Sequence, residues 1–525
     1  MKILSEQQDS FDRNLPFAPP DVNPYISKTV SFKFRGIDFS FALSHGLFSS
    51  ANIDTGTRLL LKVLSKTWDN DLKQYRPPPR TVLDAGCGIG VIGICAAKAL
   101  ADLFSDPGIS HDKAPAYKVR CQDRDALAEA FTVYNAGLNG INPDTLSAHT
   151  ETMLEGTGPW DLILSNIPAK AGRSVHEDFI RRAPAMLGRE GRLIVVVVNP
   201  LAGLFRKGLE ESLLAEEQGR EHTVLTCGPV EKAPRVFADW AAVYFRNTAS
   251  FIMEETPYTL ETFYGEAGFD NPDFAVQNAA KLLTRLHIDN LLREGPRWGD
   301  TFQERTLIQR QEEKTLPLKE ASKNTGRVFL NILIHEPGQG HLPLWLISHL
   351  AALTGKDRNG NVNPANAKIR MVLSGRNIIA LKAAQYNIEK ALRNLPLSVV
   401  FFSLPPILVP AIDMGAHIAE LGLSGFGGTA DCSPPVEYEQ TKQDDVSFSA
   451  YDLLIAFPAL VPMTDRHASC WEALTRLLNP GGIAVISMSA SEAQRFDRLK
   501  IKNCSRIGDL KRNGFRALAY SVGII

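Results

Sequence analysis

Between Val30 and Asn247, short runs of uninterrupted apolar residues are separated by helix-length segments. The runs TVLDAG (81–86), YKVRCQ (117–122), WDLILS (160–165), RLIVVVV (192–198) and WAAVYF (240–245) predict strands. Strands that are apolar without alternation are buried on both faces, so the pattern predicts an α/β fold, a mostly parallel sheet covered by helices on each side. Residues 1–30 are polar, Pro-rich and aperiodic, and read as an N-terminal extension. Beyond residue 248 the pattern changes. FAVQNAAKLLTRLHIDNLLREG has helical spacing and QERTLIQRQEEKTLPLKEASKNTG is charged and strand-poor, so 249–325 reads as a helical connector. Strand-like runs resume at RVFLNILI (327–334).

What resumes resembles what came before. DAGCGIG starts at Asp84 and EPGQGHL at Glu336, an offset of 252 residues (336 − 84). QDRDALAEAFTVYNAGL and SGRNIIALKAAQYNIEK align at the same offset, with Tyr134 and Asn135 opposite Tyr386 and Asn387. PWDLILSNIPA matches AYDLLIAFPAL at 291 (452 − 161), the extra length being assigned to the Gly/Pro-rich LGLSGFGGTADCSPPVEYEQ. A long-period match of this kind implies two copies of one domain, 31–248 and 326–525.

Composition narrows the class. With 525 residues, 44% hydrophobic and 22% charged, the chain is a multidomain globular protein. Its seven cysteines include no C-x-x-C pair and no apolar cleavable segment opens it, so a reduced, cytoplasmic setting is expected. The most apolar long stretch, Leu397 to Ile412, is too short and too Pro-rich to span a membrane. A net charge of −1 excludes binding to nucleic acid through bulk charge, so an RNA site must be a local patch. Residues 494–516 carry eight Lys or Arg against two Asp, a pattern that fits a solvated face better than an RNA groove. His335, His341 and His349 lack the spacing of a metal site, and none is expected.

In VLDAGCGIGVIGICAAKAL a strand ends in Asp84, passes Gly86, Cys87, Gly88 and Gly90, and enters an Ala-rich helix. Glycines there let the backbone approach a ligand. Gly88, Gly90 and Gly93 also satisfy G-x-G-x-x-G, but a carboxylate at the strand tip suits ammonium and sulfonium charges better than a pyrophosphate. That favours S-adenosylmethionine over a dinucleotide. Asp123, with Arg124 beside it, ends the next strand, where a carboxylate can hold ribose hydroxyls, and Thr150 or Glu151 would lie near the adenine. Cys87, with no histidine paired to it in sequence, reads as a space-filling residue and not as a nucleophile.

GLFSSANIDTGTRLLL (46–61), VLDAGCGIG, CQDRDALAEAFTVYNAGLNG and SNIPAKAG (165–172) together resemble the class I S-adenosylmethionine-dependent methyltransferases. More narrowly they are similar to the methyltransferase small-domain family, which includes ribosomal RNA guanine-N2 methyltransferases. The resemblance covers about residues 30–247 and implies a Rossmann-like, seven-stranded fold. It also implies that Phe48, Ser49, Asp54 and Gly56 lie against the cofactor and acceptor pocket. In that family an Asn-Pro-Pro-aromatic loop accepts hydrogen bonds from the amine that is methylated. Here the loop would be Asn166, Ile167 and Pro168: two acceptors turn the nitrogen lone pair toward the methyl group, and Pro168 fixes the turn. The first Pro is replaced by Ile167 and the aromatic residue by Ala169, so base stacking would fall to Phe48, His176 or the second domain. Lys170 and Arg173 are candidate phosphate contacts.

In the second copy, Leu342 replaces the third glycine, Gly375 replaces Asp123, and IAFPAL replaces SNIPA, which implies a degenerate domain serving in substrate binding or scaffolding. The expected function is an N-methyltransferase acting on structured, ribosomal RNA. A side-chain amide of a protein, such as glutamine, is the rival acceptor, and a non-catalytic scaffold the rival class. Monomer and homodimer are both open.

Overall fold

The protein is described from a computed structural model. It covers residues 22–48, 50–105, 117–156, 158–230, 239–288, 330–354, 368–395, 398–403, 451–458, 477–499 and 504–523. Most of the N-terminal extension, Ser49, the charged half of the expected connector and the Gly/Pro-rich insertion lie outside the described residues.

The first domain opens with a hairpin, β1 (Lys28–Phe34) and β2 (Ile37–Leu43), followed by α1 (Thr55–Lys73). Then come β3 (Thr81–Ala85), α2 (Val91–Ser105), β4 (Lys118–Asp123), α3 (Ala126–Leu138), β5 (Leu146–Thr150), β6 (Trp160–Asn166), α4 (Arg173–Ala185), β7 (Leu187–Val198), α5 (Asn199–Gly208), β8 (Leu213–Gln218), β9 (His222–Cys227) and α6 (Trp240–Tyr244). The sheet order is β5-β4-β3-β6-β7-β9-β8, with only the β9 pairings antiparallel. Strands run outward from β3 in one direction and from β6 in the other, so the loops after β3 and β6 diverge at a topological switch point and leave a crevice between them. The sheet interior is what the apolar runs require: Leu193 to Val197 are all buried.

The second domain begins at Arg246, within a hairpin of β10 (Phe245–Met253) and β11 (Thr256–Phe263), followed by α7 (Phe274–Arg285). It continues with β12 (Leu330–His335), α8 (His341–Thr354), β13 (Lys368–Ser374), α9 (Ile378–Leu392), β14 (Ser398–Ser403), β15 (Tyr451–Ala456), β16 (Leu478–Ser489), α10 (Ala490–Asp497), β17 (Cys504–Arg512) and β18 (Phe515–Val522). Its sheet order, β14-β13-β12-β15-β16-β18-β17, is the first order over again.

Three expectations are corrected. WAAVYF is not a strand: the Asp239 carboxylate accepts the Ala241 N–H at 3.1 Å and starts the short helix α6, and extended backbone begins only at Phe245. The described part of 249–325 is not a connector but the opening of the second domain, since α7 packs on its sheet. Asn278 donates to the carbonyls of Arg512 and Phe515 at 3.1 and 3.3 Å, and Ser487 Oγ donates to the Ala275 carbonyl at 2.8 Å. Finally, the two glycine loops align two residues away from the sequence match. Ala85 pairs with Gln122 and His335 with Ser374, so Ile334 is the counterpart of Asp84 and Glu336 that of Gly86. Gly88 and Gly90 then correspond to Gly338 and Gly340, and Leu342 to Ile92, so a single glycine of the three is replaced.

In each domain one buried asparagine ties the hairpin to the glycine loop. Asn135 accepts the Ala42 N–H at 2.8 Å and donates to the carbonyls of Ala42 and Ile89 at 3.2 and 2.9 Å. Asn387 accepts the Glu261 N–H at 2.8 Å and donates to the carbonyls of Glu261 and Gln339 at 2.9 and 3.0 Å. Removing either amide strands three backbone groups, all buried in the first domain and partly buried to buried in the second. Asn135→Ala should destabilise the first domain by roughly 2–4 kcal/mol, and Asn387→Ala the second by a similar amount. Urea unfolding followed by near-UV circular dichroism checks this; a loss below about 1 kcal/mol in both would refute the clamp.

Candidate functional site

The crevice is bounded on one side by the loop after β3. Gly86 has φ +81° and Gly88 φ +56°, conformations that L side chains rarely adopt. The N–H groups of Gly86 and Cys87 both donate to the Gln122 carbonyl at 2.9 Å, which fastens the loop to the end of β4. A Cβ on Gly90 would fall 2.9 Å from Ile94 and from Thr132, so its glycine answers to packing. A Cβ on Gly88 would meet nothing within 4 Å, so the backbone there faces open space. Asp123 stands beside it, partly buried, its Oδ2 accepting the Gly88 N–H at 3.0 Å and its Oδ1 the Asp125 N–H at 3.1 Å. Burial pushes its carboxyl above the ordinary range, with the Gly88 bond opposing the shift and the charge of Asp125 adding to it. An open glycine cradle next to a hydrogen-bonded carboxylate is a site shaped for a nucleoside, so the residues present fit S-adenosylmethionine.

Asp84 is not where the sequence argument put it. It is fully buried, with Oδ2 accepting the Gly93 N–H at 2.8 Å at the start of α2 and Oδ1 without a partner among the described residues. Gly93 allows this approach, since a Cβ there would fall 2.5 Å from Cys121 Sγ and 3.1 Å from Asp84 Oδ2. The carboxyl therefore braces the loop from beneath and does not front the crevice. Desolvation pushes its pKa up to about 7; the Gly93 bond opposes the shift and the charge of Asp123 adds to it. Cys87 is buried, its Sγ 3.5 Å from Thr132 Oγ1, and its hydrogen bond with Cys121, together with burial, holds its thiol well above the ordinary value, in keeping with a packing role.

The opposite wall is the loop after β6, and its geometry is set from α1. Asn166 Nδ2 donates to Asp54 Oδ2 at 2.9 Å and to Thr57 Oγ1 at 3.0 Å. Asp54 Oδ2 also accepts the Thr57 N–H at 3.2 Å as the N-cap of α1. A carboxylate can only accept, so it fixes the amide with nitrogen inward and leaves Oδ1 as the side chain's remaining acceptor. Gly56 makes room for this arrangement: a Cβ would stand 2.9 Å from both Asp54 Oδ2 and His222 Cδ2. The Ile167 N–H donates to the Val196 carbonyl at 3.3 Å and its side chain is buried. The Pro168 carbonyl accepts the Ala171 N–H at 3.0 Å and lies 3.0 Å from His176 Nε2, so it is taken up by the protein. The two walls meet closely, with a Cβ on Gly86 falling 4.0 Å from the Asn166 carbonyl oxygen and 3.7 Å from Met153 Cε. Tyr244 on α6 accepts the Met153 N–H at 3.2 Å and so holds the residue that stands beside Gly86.

The other candidates divide. His176 is buried edge-on against Phe205, which removes it as a stacking surface. Phe48 is 74% exposed and available; Ser49 lies outside the described residues. Ala169 and Lys170 are exposed, as is Arg173, which pairs with Glu177 at 2.8 Å. Arg124 is exposed. Thr150 Oγ1 donates to Glu129, and Glu151 accepts from Arg120 and from Gln122 Nε2 at 2.8 Å, so both side chains are held by neighbours. In the basic stretch 494–516, Arg506 and Arg516 are paired with Asp497 at 2.7 and 3.2 Å, and Arg516 also with Asp509. His341 is 2.7 Å from the Gly268 carbonyl and 3.0 Å from the Tyr258 hydroxyl, a structural position. Among the described residues no group of His, Cys, Asp and Glu could hold a metal, and no helix is long and apolar enough to cross a membrane. Thr57 and His222 escaped the sequence reading, although Thr57 lies within the DTGT segment that pointed to the pocket.

A Rossmann-like sheet with a glycine cradle after one strand and an Asn-x-Pro loop after its neighbour across the switch point defines the class I methyltransferase fold. Residues 38–218, about a third of the chain, match the family model of the methyltransferase small domain. A ribosomal RNA small subunit methyltransferase C of Photobacterium profundum is 29% identical over 182 residues, 34% of this chain and 45% of that protein. A ribosomal protein L11 methyltransferase of Helicobacter acinonychis is 28% identical over 192 residues, 36% of this chain and 50% of that protein. These matches thus span half or less of either relative. A solved T. thermophilus 16S rRNA methyltransferase, RsmC, in complex with AdoMet and guanosine aligns over 95% of this chain and 98% of its own, with TM-score 0.48 and 14% identity.

Because its folded pKa lies near 7 against 3.8 ordinarily, Asp84 binds a proton more tightly folded than unfolded. Its contribution to stability is therefore full below pH 4 and is lost as pH rises toward and past 7, a swing on the order of 4 kcal/mol. Asp84→Asn removes this titration while keeping an acceptor for Gly93. The melting temperature of the variant relative to the native protein should rise between pH 5 and pH 8; a pH-independent difference would show that the carboxyl titrates normally.

Proposed function

We propose that the chain is an S-adenosylmethionine-dependent N-methyltransferase of the cytoplasm, with the reaction in the first domain and an exocyclic amine of structured ribosomal RNA as acceptor. The observation that carries the reading is the fixed amide of Asn166, whose N–H groups are held by Asp54 and Thr57 so that its oxygen is the acceptor at the crevice. Gly86, Cys87 and Gly88 supply the backbone against which the cofactor lies, and Asp123 accepts its ribose hydroxyls. The cofactor, when bound, supplies an electrophilic methyl group.

Asn166 Oδ1 and the Ile167 carbonyl each accept one N–H of the amine. With both hydrogens engaged, the lone pair is directed at the methyl carbon, which is the positional part of catalysis. No general base is needed, because the amine becomes acidic only once it has gained the methyl group. Gly56 and the α1 N-cap keep Asp54 in place, so the whole loop is oriented before an acceptor arrives. The RNA assignment draws on the names of the small-subunit relatives. A protein side-chain amide is the second reading. It is favoured by the exposed Pro168, Ala169 and Lys170, which offer no aromatic ring to a planar base, and by the L11 methyltransferase relative.

Asn166→Ala should lower methyl transfer by roughly a hundredfold or more and leave cofactor affinity within a few-fold. Asp54→Ala, which frees the amide to rotate, should cost roughly tenfold. Labelled methyl incorporation into the RNA and protein fractions of a deletion strain, with cofactor binding by calorimetry, reads both. Full activity in Asn166→Ala would overturn the assignment of the loop, and label in protein alone would select the second reading.

A further inference from the structure

In the second domain the glycine loop keeps its backbone but changes where its carboxylate comes from. Gly338 has φ +56° and a Cβ on it would meet nothing within 4 Å, as at Gly88; Gly340 has φ +102°. The Glu336 N–H donates to the Ser374 carbonyl at 2.7 Å, as that of Gly86 does to Gln122 at 2.9 Å. Two substitutions stand out on this common frame. Gly86 is replaced by Glu336, held at φ +58°, a left-handed conformation that is unfavourable for a non-glycine residue. Asp123 is replaced by Gly375.

The two changes fit each other in space. Glu336 Oε2 lies 3.2 Å and its Cδ 3.4 Å from where a Cβ on Gly375 would stand. The glutamate thus folds into the volume that a side chain at Gly375 would need. Its carboxylate comes to stand beside the end of β13, where Asp123 stands beside the end of β4. Either replacement alone would be damaging: a glutamate facing a retained aspartate would set two negative charges together, and a lone glycine would leave the cradle without an acceptor. Made together, they move the origin of the carboxylate from one strand end to the next and leave it beside an open glycine.

We propose that the second domain binds a ribonucleoside, with Glu336 accepting its vicinal 2′- and 3′-hydroxyls; the comparison rests on the reading of Asp123 as the ribose acceptor of the first domain. The carboxylate disfavours phosphate esters, so the ligand is a nucleoside without phosphate. Phe457 stands at the level of Asn166: Ile455 pairs with Ile334 as Leu164 pairs with Asp84, and each lies two residues before the position in question. A phenyl ring has no lone-pair oxygen with which to fix an amine N–H as the Asn166 amide does, so this is a site for binding without methyl transfer.

Calorimetry of the full chain with S-adenosylhomocysteine and with adenosine tests the assignment. The native protein should bind two molecules per chain and Asp123→Ala one. Glu336→Gln should weaken the site that survives in Asp123→Ala by roughly tenfold or more, and 2′-deoxyadenosine should bind that site correspondingly worse. Gly375→Ala crowds the carboxylate from the far side and should weaken the same site, which keeps the test open if Glu336→Gln folds poorly. One molecule per chain in the native protein and none in Asp123→Ala would overturn the second site and leave the first-domain reading standing. Binding that survives Asp123→Ala undiminished and vanishes in Glu336→Gln would instead overturn the first-domain reading.

Discussion

The carboxylate of Asp54 makes two commitments that nothing else in the crevice can replace. Its Oδ2 accepts the Thr57 N–H at 3.2 Å, which starts α1, and the Asn166 amide at 2.9 Å, which ends β6. A helix start and a strand end are thereby locked to one another through an acceptor-only group. This is why the orientation of Asn166 follows from chemistry: its nitrogen must face the carboxylate, so its oxygen faces the crevice. The tight surroundings of Gly56 belong to the same constraint, since a single methyl group there would push on Asp54 and His222 together.

The second sheet shows which parts of this arrangement serve the fold and which serve chemistry. The hairpin, the asparagine clamp and the aspartate cap of the helix after the hairpin are all present: Asp273 accepts the Val276 N–H at 2.9 Å as Asp54 accepts that of Thr57. Asn331 donates its N–H to Asp452 at 3.0 Å as Thr81 donates to Asp161 at 2.9 Å. These contacts satisfy backbone N–H groups at a helix start and a strand start, and both domains share them. The asparagine that the cap would orient is absent, with Phe457 at its level. A capping aspartate is a device of the fold; a capping aspartate aimed at an asparagine is a device of the site.

The strands were legible because both sheets are buried on two faces and their residues read as unbroken apolar runs. The hairpin β10–β11 was not, because it alternates exposed and buried residues and no unbroken run marks it. WAAVYF illustrates the ambiguity of a short apolar run, which an Asp cap at 239 resolves toward helix. The loop registration failed for a different reason. Asp84 and Glu336 look alike as an acid ahead of glycines, but hydrogen bonding aligns the glycines and puts the acids on different positions. Sequence likeness matched charge, whereas the backbone matched the need for left-handed φ, and the second is the stricter condition. Which way Asp84 points was beyond the sequence altogether, since both faces of a buried strand look the same in one dimension.

That orientation bears on the electrostatics of the crevice. Two carboxyls end neighbouring strands β3 and β4, and desolvation raises both. Were both ionised, the loop would carry two negative charges in a low dielectric, with the inner one lacking a partner for Oδ1 among the described residues. Asp84 at about 7 holds its proton through much of the range below neutrality, which leaves Asp123 as the principal negative charge facing the open side of Gly88. A single carboxylate suffices for a pair of hydroxyls. On the proposed reading, the positive charges of a sulfonium cofactor would be met chiefly by backbone carbonyls at the strand ends, which keep their dipoles at every pH. Binding through such dipoles makes the crevice sensitive to the exact path of the loop, and the path is what Asp84, from beneath, and Asn135, from the side, hold in place.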